Sequence, residues 1–232
     1  MCNQLKVEFF KLRHCAIFFF AAACMVGLGF SYGYIKLTSV GFSVYRAFQE
    51  TNCDTSFMFL PALVSAWFVG ADFSSRTIHH EITLGYSRWS ILAVRELPVY
   101  LAAAALHYIY VVSTMLGVGS RRGFSGGSFS LQDFFWCGTV LLQLIALQSI
   151  IVFISVICAK APAAIAGSVC FAFITCNILR NFFDGKIFTS SCFCLARNND
   201  YDTLLPAGVA AVLTCAAMVL LTYGAFRRKE IK

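Results

Sequence analysis

The sequence predicts an all-α integral membrane protein with six transmembrane helices. Three observations carry this. Of 232 residues, 59% are hydrophobic and only 12% charged, about half the charged share of a soluble domain. The mean hydropathy is +0.75. Apolar runs approaching the ~20 residues that cross a bilayer recur along the chain, separated by polar connections. Residues 1–232 therefore read as a single transmembrane domain. The composition excludes a soluble enzyme, a disordered chain and a coiled coil, and the length leaves no room for an attached soluble domain. The net charge of +7 comes from basic residues flanking apolar runs, where they meet anionic headgroups and set orientation. Membrane lipid, not nucleic acid, is the partner that this charge implies.

Residues 1–14 are short and basic. Leu5, Phe9 and Leu12 recur at helical spacing, with Lys6, Lys11 and Arg13 on the cationic side, as in a helix lying at the membrane surface. The rival is the start of a signal peptide with a cleavage site at Ala21-Ala22-Ala23-Cys24. The apolar run continues past Cys24 to Phe30, which favours the surface helix. The first span covers 15–34, and a polar stretch with Arg46, Glu50, Asn52 and Asp54 follows. The second, short span covers 56–71. The third covers 97–118, with Pro98 in its first turn, where proline is tolerated. A Gly/Ser-rich loop at 119–133 leads to the fourth span, 134–159. Lys160-Ala161-Pro162 makes a tight turn into the fifth, 163–183. A polar loop precedes the sixth, 204–226, which Arg227-Arg228-Lys229 closes.

Basic residues orient the bundle. With both termini cytoplasmic, eleven lysines and arginines fall inside and seven outside. Seven of the eleven cysteines lie within or beside apolar runs, where a thiol acts as a small hydrophobe. Cys53, Cys192 and Cys194 share the outer side. They are either three free thiols or a disulfide from Cys53 to Cys192 or Cys194. No metal site is expected: there is no H-E-x-x-H, and adjacent His79 and His80 diverge by about 100° on a helix. Catalytic residues are not expected either, since paired acids within spans are absent. Among the apolar runs His107, Gln143, Gln148 and Asn177 stand out, as residues of a transport pathway or as interhelical hydrogen-bonding groups.

The longest cytoplasmic polar segment is 72–95. Residues 76–84 can form a short amphipathic helix, with Ile78 and Ile82 on one face and Arg76, His79, His80 and Thr83 elsewhere. Gly85 suits the left-handed position that ends such a helix, and Ser87 suits the N-cap of the next. On pattern alone this is a rigid charged knob or an ordinary loop helix touching only lipid.

The run Phe68-Val69-Gly70-Ala71-Asp72-Phe73-Ser74-Ser75-Arg76-Thr77-Ile78, followed by Gly85-Tyr86-Ser87-Arg88, resembles the segment joining spans two and three in permease subunits of type-2 ATP-binding-cassette (ABC) exporters. Glu8-Phe9-Phe10-Lys11-Leu12 resembles the interfacial helix of that family, and Phe226-Arg227-Arg228-Lys229-Glu230-Ile231-Lys232 its aromatic, basic and acidic ending. The sequence departs at Arg76, where glycine is common, and at Glu96, where a lysine often opens the third span. The resemblance implies that 72–95 is a coupling segment docking on a separate ABC ATPase subunit. Arg76, Thr77, Ile78, His79, Glu81, Ile82 and Leu84 would enter the ATPase groove, with Ile78 or Ile82 inserting and Arg76, Glu81 and Arg88 forming charged pairs. Gly85, Ser87 and Arg88 would fix the turn that transmits movement. It also implies a second permease subunit, identical or related. No phosphate-binding loop occurs in the sequence, so the chain would bind no cofactor, and ATP and Mg would be used by the partner. The 24 phenylalanines favour a hydrophobic or amphipathic cargo, such as a peptide, a lipid-like molecule or a drug. A membrane-embedded sensor or assembly protein, or an intramembrane enzyme, is the alternative.

Overall fold

The computed structural model describes residues 2–75, 77–124, 127, 129–175 and 201–228. The described elements are helical. In order they are α1 (Cys2–Arg13), α2 (Ala16–Ser31) continued by a π-helical stretch (Tyr32–Leu37), α3 (Val44–Asn52), α4 (Phe59–Ser74), α5 (Thr77–Thr83), α6 (Arg88–Arg122), α7 (Leu131–Cys158), α8 (Ala161–Phe173) and α9 (Tyr201–Arg228).

Four helices are long and apolar enough to cross a membrane: Ala16–Leu37, Arg88–Arg122, Leu131–Cys158 and Leu204–Arg228. These fit a membrane protein. The second expected span meets α4, and the fifth begins in α8; both are shorter among the described residues, and positions 176–183 of the fifth span and 184–200 of the loop after it lie outside them. The 16 residues of α4 extend about 24 Å, less than the ~30 Å hydrocarbon layer. α4 lies inside the bundle against α2, α6, α7 and α8. Its neighbours on most sides are helices, which is how it holds the polar Ser65 and Asp72 in buried positions.

The helices pack through small residues. A Cβ added at Gly29 would lie 2.7 Å from the Tyr110 carbonyl oxygen, 3.0 Å from Ser113 Cβ and 3.2 Å from Thr114 Oγ1. Gly33 lies against the Thr114 backbone and Gly117 against that of Phe30. Side chains at these positions would hold α2 away from α6. Gly70 allows the same approach between α4 and Ala161 of α8. Aliphatic and aromatic clusters fill the seams. One groups Phe48, Met58, Trp136, Val140, Leu144 and Ile151; another groups Phe68, Val69, Ile78, Ile91, Val156 and Phe226.

Three sequence expectations change. The polar stretch after the first span contains the helix α3, capped by Ser43, whose Oγ accepts from the Arg46 amide at 3.3 Å. Its Ala47, Phe48, Thr51 and Asn52 recur at one-turn spacing and are buried; a mixed polar and apolar face hid it. Pro98 is not in a first turn. Helix α6 begins at Arg88, just after the Ser87 cap that the sequence suggested, and runs unbroken into the third span, so Pro98 lies within it, where its missing N–H leaves the Val94 carbonyl without that hydrogen bond. On α1 the most buried residue is Glu8, 2% exposed, while Phe10 is 63% exposed. The helix turns an acid inward, for the reason given below.

Candidate functional site

The segment between α4 and α6 is built by local rules. α5 ends in a Schellman motif: the Gly85 amide donates to the Ile82 carbonyl at 3.0 Å and the Tyr86 amide to the Glu81 carbonyl at 3.2 Å. Gly85 has φ +86°, a left-handed conformation that glycine adopts without a Cβ penalty. Ser87 caps α6, its Oγ accepting from the Ser90 amide at 3.2 Å.

Tertiary contacts decide which face of this segment is available. Ile78 is 2% exposed and packs in the cluster with Phe68, Ile91 and Phe226; Ile82 packs on the same cluster. Ile78 thus anchors α5 to its own bundle and is not presented to a partner. Glu81 accepts from Arg95 Nη1 at 2.8 Å. Arg88 Nη1 donates to the carbonyl oxygens of Phe226, at 3.3 Å, and Arg227, at 2.7 Å, clasping the end of α9. Trp89 meets Tyr223 edge to face with centroids 5.2 Å apart. The exposed surface is formed by His80, Thr83, Leu84 and Tyr86, with Leu84 64% exposed. Thr77 is half-buried. Arg76 and the side chain of His79 lie outside the described residues.

Behind this surface is an ionic network. Asp72, in the last turn of α4, accepts from Arg95 Nε at 2.7 Å and from Lys11 Nζ at 3.3 Å. Lys11 also pairs with Glu8 at 2.8 Å. Four helices, α1, α4, α5 and α6, are thereby joined through Arg95, which is 4% exposed. This is why α1 turns Glu8 inward, while Leu5 and Leu12 are half-buried and Phe9 lies at the surface. Burial raises the Glu8 pKa above its ordinary value, against the lowering effect of its hydrogen bond from Lys11. Burial alone would lower that of Lys11, but Glu8 and Asp72 outweigh it and the lysine pKa is raised. The sequence placed Glu8 and Lys11 in the interfacial-helix motif and Asp72 in the coupling-segment motif, but missed Arg95 as the hub. The available signal was an arginine and an acid, Arg95 and Glu96, at the mouth of an apolar run.

The polar residues within the apolar runs lie in helix seams. His107 Nε2 is 3.1 Å from the Asn52 carbonyl oxygen. Gln148 accepts from Ser65 Oγ at 2.8 Å, and Gln143 is fully buried on α7. Asn177, Cys192 and Cys194 lie outside the described residues. Cys53 is buried beside the Gln49 and Glu50 carbonyl oxygens, 3.6 and 3.5 Å from its Sγ. Among the described residues no group of three or more His, Cys, Asp or Glu could hold a metal ion. No family model matches the chain, and no curated protein matches it.

Proposed function

We propose that the chain is the permease subunit of an ATP-driven ABC exporter in the cell membrane, with α5 and the turn at 84–87 as its contact with a separate ATPase subunit. The observation that supports this is a short helix between α4 and α6, tied to the bundle by Ile78 and by the Glu81–Arg95 pair, with its Leu84 side exposed. A push on α5 would pass through Arg95 to α6, through Asp72 to α4 and through Lys11 to α1. In this proposal the spans number six, with α4 and α8 as the second and fifth, and both termini are cytoplasmic. Two permease and two ATPase subunits form the working unit. ATP and Mg act in the partner, and the cargo is hydrophobic or amphipathic.

The docking surface is shifted from the one the sequence suggested: Leu84 stays in it, and His80 and Tyr86 take the place of Ile78 and Glu81. The test is co-purification of an ATPase with the wild-type chain, followed by ATP hydrolysis with candidate cargo. Leu84→Asp puts an unpaired charge at the centre of this surface, where loss of an anchor costs about 2 kcal/mol or more. It should release the ATPase while the chain remains in the membrane. Retention of ATPase by both Leu84→Asp and His80→Glu would refute docking through α5.

A further inference from the structure

The geometry points to a binding site for a phosphoethanolamine lipid headgroup, in a crevice between α1 and the start of α6. Val7, Glu8, Glu81, Tyr86 and Arg95 are among the residues that line it. Two lining residues, each more than nine-tenths buried, keep a polar atom without a hydrogen-bond partner: Glu8 Oε2 and Arg95 Nη2. One is an acceptor lacking a donor and the other a donor lacking an acceptor. Leaving such atoms unpaired is costly; both lie just beneath the crevice surface, so a ligand meets them when the Glu8 carboxyl and the Arg95 guanidinium turn toward it, and one that offers both a donor and an acceptor is favoured.

The network sets the sign of that ligand. Glu8, Asp72 and Glu81 face Lys11 and Arg95, so carboxylates exceed cations by one among these five groups. An anionic ligand without a cation would add to the excess. A zwitterion whose ammonium donates to Glu8 and whose phosphate accepts from Arg95 satisfies both atoms without adding net charge. A primary ammonium has N–H groups to give; a trimethylammonium has none.

Position supports a lipid source. Tyr86 and Trp89 are exposed at this end of the bundle, as Val7 and Phe10 are on α1, and aromatic side chains collect at headgroup level in membrane proteins. The crevice thus opens where apolar surface meets a charged layer. This inference rests on the membrane character of the helices and does not require an ATPase partner.

The test uses the purified full chain, delipidated in detergent. Phosphatidylethanolamine, phosphatidylcholine, phosphatidylglycerol and free phosphoethanolamine are added separately, and retention is read by native mass spectrometry and thermal shift. Phosphatidylethanolamine should be retained about tenfold or more over the other two lipids, the scale of one charge-assisted hydrogen bond. Glu8→Gln should erase that preference. Val7→Trp, at an exposed lining position, should block retention without changing the melting temperature of the delipidated protein. Equal retention of the choline lipid, or an unchanged preference in both variants, would overturn the site. An equal shift with free phosphoethanolamine would overturn its assignment to lipid.

Discussion

The crossing of α2 on α6 offers a sharp test, because two glycines on one helix have opposite surroundings. A Cβ at Gly29 would lie 2.7 Å from the Tyr110 carbonyl oxygen, whereas one at Gly27 meets nothing within 4 Å. Ordinary carbon–oxygen contact needs about 3.4 Å, so Gly29→Ala requires the helices to part by about 0.7 Å, or to shift sideways against Ser113 and Thr114. Overpacking of this kind costs about 1–3 kcal/mol. Both changes replace glycine with alanine in a helix, and the propensity gain of up to about 1 kcal/mol is common to both. The difference between the variants therefore isolates the packing cost. At about 2–4 °C per kcal/mol for a chain of this length, Gly29→Ala should melt about 2–12 °C below Gly27→Ala. The assay is thermal unfolding of the purified chain in one detergent, followed by loss of the monodisperse peak. A Gly29→Ala protein melting at or above Gly27→Ala would refute the close crossing.

Asp72→Ala removes the acceptor shared by Lys11 and Arg95 and leaves a buried guanidinium partly unpaired, so it should cost about 3–5 kcal/mol, read by the same melt; a shift no larger than that of Glu81→Gln would contradict the central place of Asp72. Stability should also respond to pH through Glu8. Its folded pKa is raised, so the folded state binds the proton more tightly, and stability falls as pH rises from the ordinary value of 4.5 through the folded value. Glu8→Gln should remove that slope, which melts across a pH series will show. Gly85→Ala forces alanine into a left-handed conformation at a cost of about 1–2 kcal/mol; hydrogen exchange should rise at the Gly85 and Tyr86 amides while α7 stays protected. In intact cells an impermeant thiol reagent should label a cysteine placed at 127 and not one placed at 230, and the reverse pattern would invert the proposed topology.

Some features were legible in the sequence because their causes are local. Chain-long hydropathy determined an all-helical membrane architecture, and the ends of α5 and α6 followed from Gly85 and Ser87, whose conformations depend on neighbours a few residues away. The break between α7 and α8 was legible from Lys160 and Pro162, but it falls one residue earlier than the sequence suggested, at Ala159 and Lys160, and Ala161 and Pro162 already belong to α8. Other features depended on which side of a helix faces which neighbour. In water, an apolar stripe marks the buried face. In a membrane, the lipid-facing and core-facing sides are both apolar, so the pattern on α1 could not show that Phe10 faces outward and Glu8 inward. The same ambiguity hid the inward direction of Ile78. The partners of Arg95, at positions 72 and 81 on two other helices, were set by folding those helices together. A buried charge must find its counter-charge in space, and only the tertiary structure decides where that counter-charge lies.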